Sequence, residues 1–198
     1  MTANTANAAT ALLVIDAQES FRHRPYWSHQ DLPAYLQAQN ALIHGFAERD
    51  MPIVQVMHVE DEGAFSEASG WVRGLEGVCP FAASLVVRKT RHSALAGTPL
   101  ASWLLSRGIG RLVVSGIRTE QCCETTTRHA SDMGFEVDYC TDATLTFAMV
   151  HAASGERFET DAIKRRTELV LDGRFATVVG VAQALERAGP AGEARLAA

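Results

Sequence analysis

The sequence predicts a single α/β domain, a three-layer sandwich with helices on both faces of a mostly parallel, six-stranded sheet. Three observations predict it. Short β-rich runs alternate with longer helix-like stretches, the pattern of successive βαβ units. The runs "LLVI" and "LVVS" are continuously apolar, as strands buried on both faces are. A chain of 198 residues, 47% hydrophobic and 21% charged, suits one domain with a substantial core.

The elements follow in order. "ALLVID" reads as a strand ending at Asp16, and "DLPAYLQAQNALIHGFAERD" has a helical pattern. "PIVQVMHV" is a second strand, and the Gly-rich stretch from Asp61 to Pro80 is irregular. "SLVVRK" is a third strand. "TPLASWLLSRG" has Thr98 as helix cap, Pro99 at the first helical position and Gly108 past the end. "RLVVSG" is a buried strand, "TEQCCETTTRHASDMG" a helix with Thr119 as cap, and "FEVDYC" another strand. The helix "TDAIKRRTELVLD", the strand "FATVVG" and the helix "VAQALERAG" complete the fold. Residues 1–9 read as a flexible tail, 10–189 as the domain, and 190–198 as a loose tail.

Composition narrows the function. A net charge of -5 leaves no basic footprint, which argues against a nucleic-acid partner. The N-terminal stretch lacks the basic start of a signal peptide, and no apolar run is long enough to span a membrane. Four cysteines, two of them adjacent, do not form a spaced disulfide framework; free thiols in a reducing cytoplasm are expected. Of eighteen lysines and arginines only Lys89 and Lys164 are lysines. A chain that otherwise uses arginine keeps, at Lys89, a compact charge whose pKa responds to burial.

In parallel α/β sheets ligands bind beyond the carboxyl ends of the strands. Asp16, Lys89 and Gly116 all fall at such ends. Taken singly, Asp16 could cap a turn and Lys89 could be a solvated loop residue. Cys122 falls in the first turn of a predicted helix, where unpaired N–H groups and the helix dipole lower a thiol's pKa. Cys123 is turned by roughly 100° from it, so the two thiols cannot face one crevice. Core packing stays open for either, and is the reading for Cys79 and Cys140. A metal at the pair would need two further ligands that no nearby CxxC or HxxxH supplies. An acid as base, a lysine as counter-charge, a thiol as nucleophile and a helix start as oxyanion donor form a chemically coherent set.

The stretches "LLVIDAQESF", "VVRKTRHSALAGTPLASWLLSRGIGRLVVSG" and "GIRTEQCCETTTRHASDMGFEVDYCTDA" resemble the isochorismatase-like hydrolases, or cysteine hydrolase superfamily, from about Ala11 to Val179. The resemblance implies a Rossmann-like sheet of order 3-2-1-4-5-6 and a catalytic triad of Asp16, Lys89 and Cys122. Counting from Gly116, the family motif selects Cys122 and puts Cys123 where valine is usual. It implies a non-proline cis peptide between Ile117 and Arg118, with the N–H groups of Arg118 and Cys122 facing the oxyanion. Homo-oligomers are frequent in the family.

The nicotinamidase branch binds a metal through a D-x-H motif that "QVMHVEDEGAFSEASGW" lacks. His58 is therefore read as a strand-end polar residue, and neither metal nor cofactor is expected. Isochorismatases proper commonly lack the cysteine, so Cys122 favours C–N bond hydrolysis of a small molecule through a thioester. The alternatives are a vinyl-ether hydrolase using Asp16 and Lys89 alone, a redox-responsive thiol protein, and a non-catalytic scaffold. Phe21, Trp27 and Trp71 are pocket candidates, as is Arg118 for a substrate carboxylate. The family often has Phe where Leu95 stands.

Overall fold

The computed structural model describes residues 9–189; the expected C-terminal tail and all but Ala9 of the N-terminal one lie outside it. Among the described residues, eight strands and five α-helices are ordered β1 (Ala9–Ile15), α1 (Leu32–Ala47), β2 (Ile53–His58), β3 (Leu85–Lys89), α2 (Leu100–Ser106), β4 (Ile109–Ile117), α3 (Glu124–Asp132), β5 (Glu136–Leu145), β6 (Met149–Val150), β7 (Arg157–Phe158), α4 (Thr160–Leu171), β8 (Thr177–Val179) and α5 (Val181–Ala188). The main sheet has six strands in the order β3-β2-β1-β4-β5-β8, every neighbouring pair parallel. This is the predicted order, its sixth strand being β8. Strands β6 and β7 form a separate antiparallel ribbon that the sequence pattern did not reveal.

The alternation of side chains along β1 shows why its run is apolar throughout. Ala11, Leu13 and Ile15 face one cluster, with Leu100 and Leu104 of α2, Ala130 of α3 and Leu171 of α4. Leu12 and Val14 face the other, with Leu42, Ile43 and Phe46 of α1 and Ala184 of α5. A strand covered on both sides has no solvent face on which to place a polar residue. A third cluster, including Phe21, Phe65, Ile117, Leu145 and Phe147, closes the carboxyl end of the sheet.

Two helix starts differ from expectation. Helix α2 begins at Leu100 with Pro99 as its cap residue, although the Thr98 hydroxyl still accepts the Leu100 N–H at 3.3 Å. At the thiol helix the cap is Arg118, not Thr119, and residues Thr119–Cys123 form a π-turn before α3. Thr119 is fully buried, and its hydroxyl donates to Thr144 Oγ1 at 2.8 Å instead of capping the helix. No helix among the described residues is long and apolar enough to cross a membrane.

Candidate active site

Strands β1 and β4 are neighbours, with Ile15 paired to Gly116, so Asp16 and the Gly116–Cys122 segment leave the sheet side by side. Gly116 has φ +124°, and a Cβ there would lie 1.9 Å from the Ile15 carbonyl oxygen. Only glycine allows this approach. Asp16 itself has φ 49°, a left-handed conformation uncommon for a residue with a side chain. Its N–H donates to Val56 O at 2.9 Å and its carbonyl accepts the Gln18 N–H at 2.8 Å, fixing the turn that aims the carboxylate.

Lys89 ends β3 and reaches across beneath β2. Its Nζ lies 2.7 Å from Asp16 Oδ2 and donates to Cys122 Sγ at 3.3 Å. Asp16 is 0%, Lys89 1% and Cys122 7% exposed, so the ion pair and thiol are screened from water. The structure thus brings the three sequence-selected residues into one buried cluster. The peptide Ile117–Arg118 is cis, as the resemblance implied. The Arg118 carbonyl accepts the N–H groups of Gln121 and Cys123, each at 3.2 Å, and the Cys122 N–H between them is left out of that pair.

Burial pushes the Asp16 carboxyl above its ordinary value, against the pull of the Lys89 charge and of hydrogen bonds from Lys89 and Cys122. Burial also works against the Lys89 ammonium, but Asp16 and Cys122 together outweigh it and hold the amine above its usual range. The Cys122 thiol is driven up, first by burial and then by the Asp16 charge, with Lys89 opposing. This reverses the lowered thiol pKa expected from a helix N-terminus. Loss of hydration and an adjacent carboxylate exceed a dipole contribution worth about 0.3–1 kcal/mol. The resting thiol therefore keeps its proton and needs a base.

His58, at the end of β2, is drawn into the cluster: its Nδ1 is 3.2 Å from Lys89 Nζ. Asp16, His58 and Cys122 each offer one donor atom, all within 4.8 Å of one another, the type of set that could bind a metal. The Lys89 ammonium already stands within reach of all three, so a metal there would face a fixed positive charge. The residues do not fit one. Gln18 was missed by sequence reasoning, as was the exposed His92, whose Nδ1 stands 4.0 Å from Cys122 Sγ. The strand-end rule that selected Lys89 selects His58 equally, whereas no pattern in the sequence marks His92.

The other candidates separate. Phe21 packs edge-on to Phe65, with ring centroids 4.9 Å apart, and Trp27 packs on Phe147 at 5.3 Å. Phe65 in turn meets the His58 ring at 5.7 Å, which ties this aromatic group to the thiol cluster. Trp71 instead stacks on His23 at 4.0 Å. Arg118 is buried and ion-paired to Glu120 at 3.0 Å, its guanidinium over the Tyr26 ring. With its charge matched internally, it is not a free anion receptor. Cys123 is fully buried in the core against the sheet, as the helix rotation required.

A buried acid, ammonium and thiol at the strand ends of a parallel sheet define a doubly wound α/β protein with a thiol-centred site. The chain belongs to the isochorismatase family, whose isochorismatase domain matches residues 10–183, and it is a hydrolase of that family. It is 24% identical over 171 residues to the uncharacterized isochorismatase family protein YrdC of Bacillus subtilis, covering 85% of this chain and 90% of that one. It is 32% identical over 152 residues to streptothricin hydrolase of Streptomyces noursei, covering 74% of this chain but only 60% of that enzyme. Its fold matches an isochorismatase-family protein from Chromobacterium violaceum at a TM-score of 0.84 and 28% identity, covering 96% of this chain and 99% of the other.

Proposed function

We propose that this hydrolase cleaves the C–N bond of a small carboxamide or related compound through a thioester on Cys122. The observation that carries the reading is the Lys89 ammonium lying 2.7 Å from Asp16 Oδ2 and 3.3 Å from Cys122 Sγ within one buried cluster. Relatives named for amide chemistry support it: nicotinamidase 3 of Arabidopsis thaliana is 36% identical over 92 residues, 43% of this chain and 46% of that enzyme. The ureidoacrylate amidohydrolase RutB of Variovorax paradoxus is 37% identical over 101 residues, 50% of this chain and 40% of that enzyme.

The chemistry proceeds in two halves. Asp16 takes the Cys122 proton as Sγ attacks the carbonyl carbon, and Lys89 stabilises the negative charge that passes between them. The backbone N–H groups of Arg118 and Cys122 receive the oxyanion. The C–N bond then breaks, with protonated Asp16 giving its proton to the departing nitrogen. Water attacks the thioester with Asp16 again as base, releasing the acid and restoring the thiol. The raised carboxyl pKa suits this role, because it makes Asp16 a stronger base toward the thiol.

A panel of small amides assayed for ammonia or amine release tests the reading. The Cys122→Ala variant should lose at least about a thousandfold in kcat/KM, and the wild type should show an acyl adduct on Cys122 by mass spectrometry. Unchanged turnover by Cys122→Ala would sink the thioester mechanism. A reversible Cys122–Cys123 disulfide with no amide turnover would instead support a redox-responsive protein.

A further inference from the structure

We infer that His58 is a positioning residue: its neutral imidazole is the third acceptor for the Lys89 ammonium and holds that charge between Asp16 and Cys122. The inference rests on the cysteine-hydrolase reading of the site, but it concerns a residue outside the Asp16–Lys89–Cys122 triad.

An ammonium has three N–H donors and no acceptor. Lys89 Nζ has three partners: Asp16 Oδ2 at 2.7 Å, His58 Nδ1 at 3.2 Å and Cys122 Sγ at 3.3 Å. Because Nζ can only donate, His58 Nδ1 must be the bare nitrogen and the proton must sit on Nε2. Nε2 faces the Glu60 carboxylate, with Oε1 at 3.5 Å, an electrostatic contact rather than a hydrogen bond. A buried ammonium with an unmatched N–H is costly, so the imidazole removes a reason for Lys89 to move or to lose its proton. The environment keeps the ring neutral: burial, and then the Lys89 charge, lower its pKa.

His58 is itself held in place. The Gln18 side chain, two residues beyond Asp16, accepts the His58 N–H at 2.8 Å and donates to the His58 carbonyl at 3.1 Å. This amide clamp ties the end of β1 to the end of β2, so Asp16 and His58 are set by one fully buried residue. The ring is bounded by the edge of Phe65 at 5.7 Å and by His92 at 6.3 Å, nearly parallel to it. The backbone and ring faces of His58 are thus held, with Nδ1 facing Lys89.

The test reads Cys122 without any substrate. The rate of iodoacetamide alkylation at Cys122, located by peptide fragmentation, is compared in wild type, His58→Leu and His58→Asn. Leucine preserves volume and removes the acceptor, whereas asparagine loses volume and keeps an acceptor near the Nδ1 position. The expected order is wild type and His58→Asn within about threefold, and His58→Leu slower by roughly tenfold or more. A packing role predicts the reverse order, and that result, or equal rates in all three, overturns the inference. If His58→Leu does not fold, His58→Gln replaces it, since its amide falls beyond the Nδ1 position; alkylation as fast as in His58→Asn overturns the inference equally. Amide turnover is measured on the same proteins. Absence of turnover in wild type refutes the amide reading alone, whereas normal turnover with the reversed alkylation order refutes the role of His58 alone.

Discussion

Two carboxylates buried in the same sheet have opposite surroundings. Asp138, inside β5, is 1% exposed and meets two arginines, Arg187 at Oδ1 (2.9 Å) and Arg111 at Oδ2 (3.3 Å). Both guanidinium groups reach toward solvent, with 34% and 20% of their side chains exposed. Asp16, just past the end of β1, has a single cationic partner among the described residues, the Lys89 ammonium 2.7 Å from Oδ2. A carboxylate held by a guanidinium on each oxygen is committed to its ion pairs, whereas one with a single cationic partner beside a protonated thiol is better placed to take a proton. The difference separates a structural ion cluster from the one proposed to be reactive, and burial alone would not have done so.

The sharpest way to break this comparison is to neutralise each acid. Asp16→Asn should lower amide turnover by about a thousandfold, the usual range for removing a general base. Asp138→Asn should leave kcat/KM per folded molecule within about twofold and instead cost about 1–3 kcal/mol of stability, because two partly solvated arginines lose charged acceptors. Steady-state kinetics and urea unfolding on both variants check the pair. A large kinetic defect in Asp138→Asn with normal stability would erase the distinction.

The same contrast has a pH signature. The folded-state pKa of Asp16 is raised above the ordinary 3.8, chiefly by burial. The native state therefore binds a proton that the unfolded chain has released, and the contribution of Asp16 to stability is present below that ordinary value. It is lost as pH rises through the folded pKa. The stability of wild type relative to Asp16→Asn should fall as pH rises above about 4, by at most about 1.4 kcal/mol per unit. Urea melts across that range measure it. A difference that grows with pH would mean that Lys89 outweighs burial and that Asp16 is an ordinary ion-pair partner.

What the sequence revealed about this site follows from which forces are local. The strand ends carrying Asp16, Lys89 and Gly116 were legible because a buried parallel strand leaves a continuous apolar run, and its polar terminus is visible in the string. The order of the sheet and the choice of Cys122 over Cys123 came from the spacing of the Gly116–Thr119–Cys122 motif and the family resemblance it carries. The direction of the thiol's pKa was not legible, because burial and the proximity of Asp16 come from contacts between distant segments. Nor was the π-turn, since a shift to i→i+5 bonding at Thr119–Cys123 leaves no periodic trace over five residues. Nor was the stacking of Trp71 on His23, because an aromatic in an irregular stretch has no periodic pattern to fix the direction in which it turns.

The smallest effect concerns the two adjacent thiols and sharpens the comparison to single-residue resolution. Cys123 is fully buried in the same core cluster as Cys122, and burial, with the neighbouring Cys122 next, holds its thiol well above the ordinary range. It has high pKa in common with Cys122 but has no direct lysine or histidine contact among the described hydrogen bonds, whereas Cys122 receives Lys89 at 3.3 Å. Cys123→Val exchanges one small apolar side chain for another of slightly greater volume and should change stability by less than about 1.5 kcal/mol. Its kcat/KM and the alkylation rate of Cys122 should match wild type. A tenfold loss in either, with the fold intact by circular dichroism, would show that the second thiol does more than pack, because a valine methyl can reproduce its volume but not its sulfur.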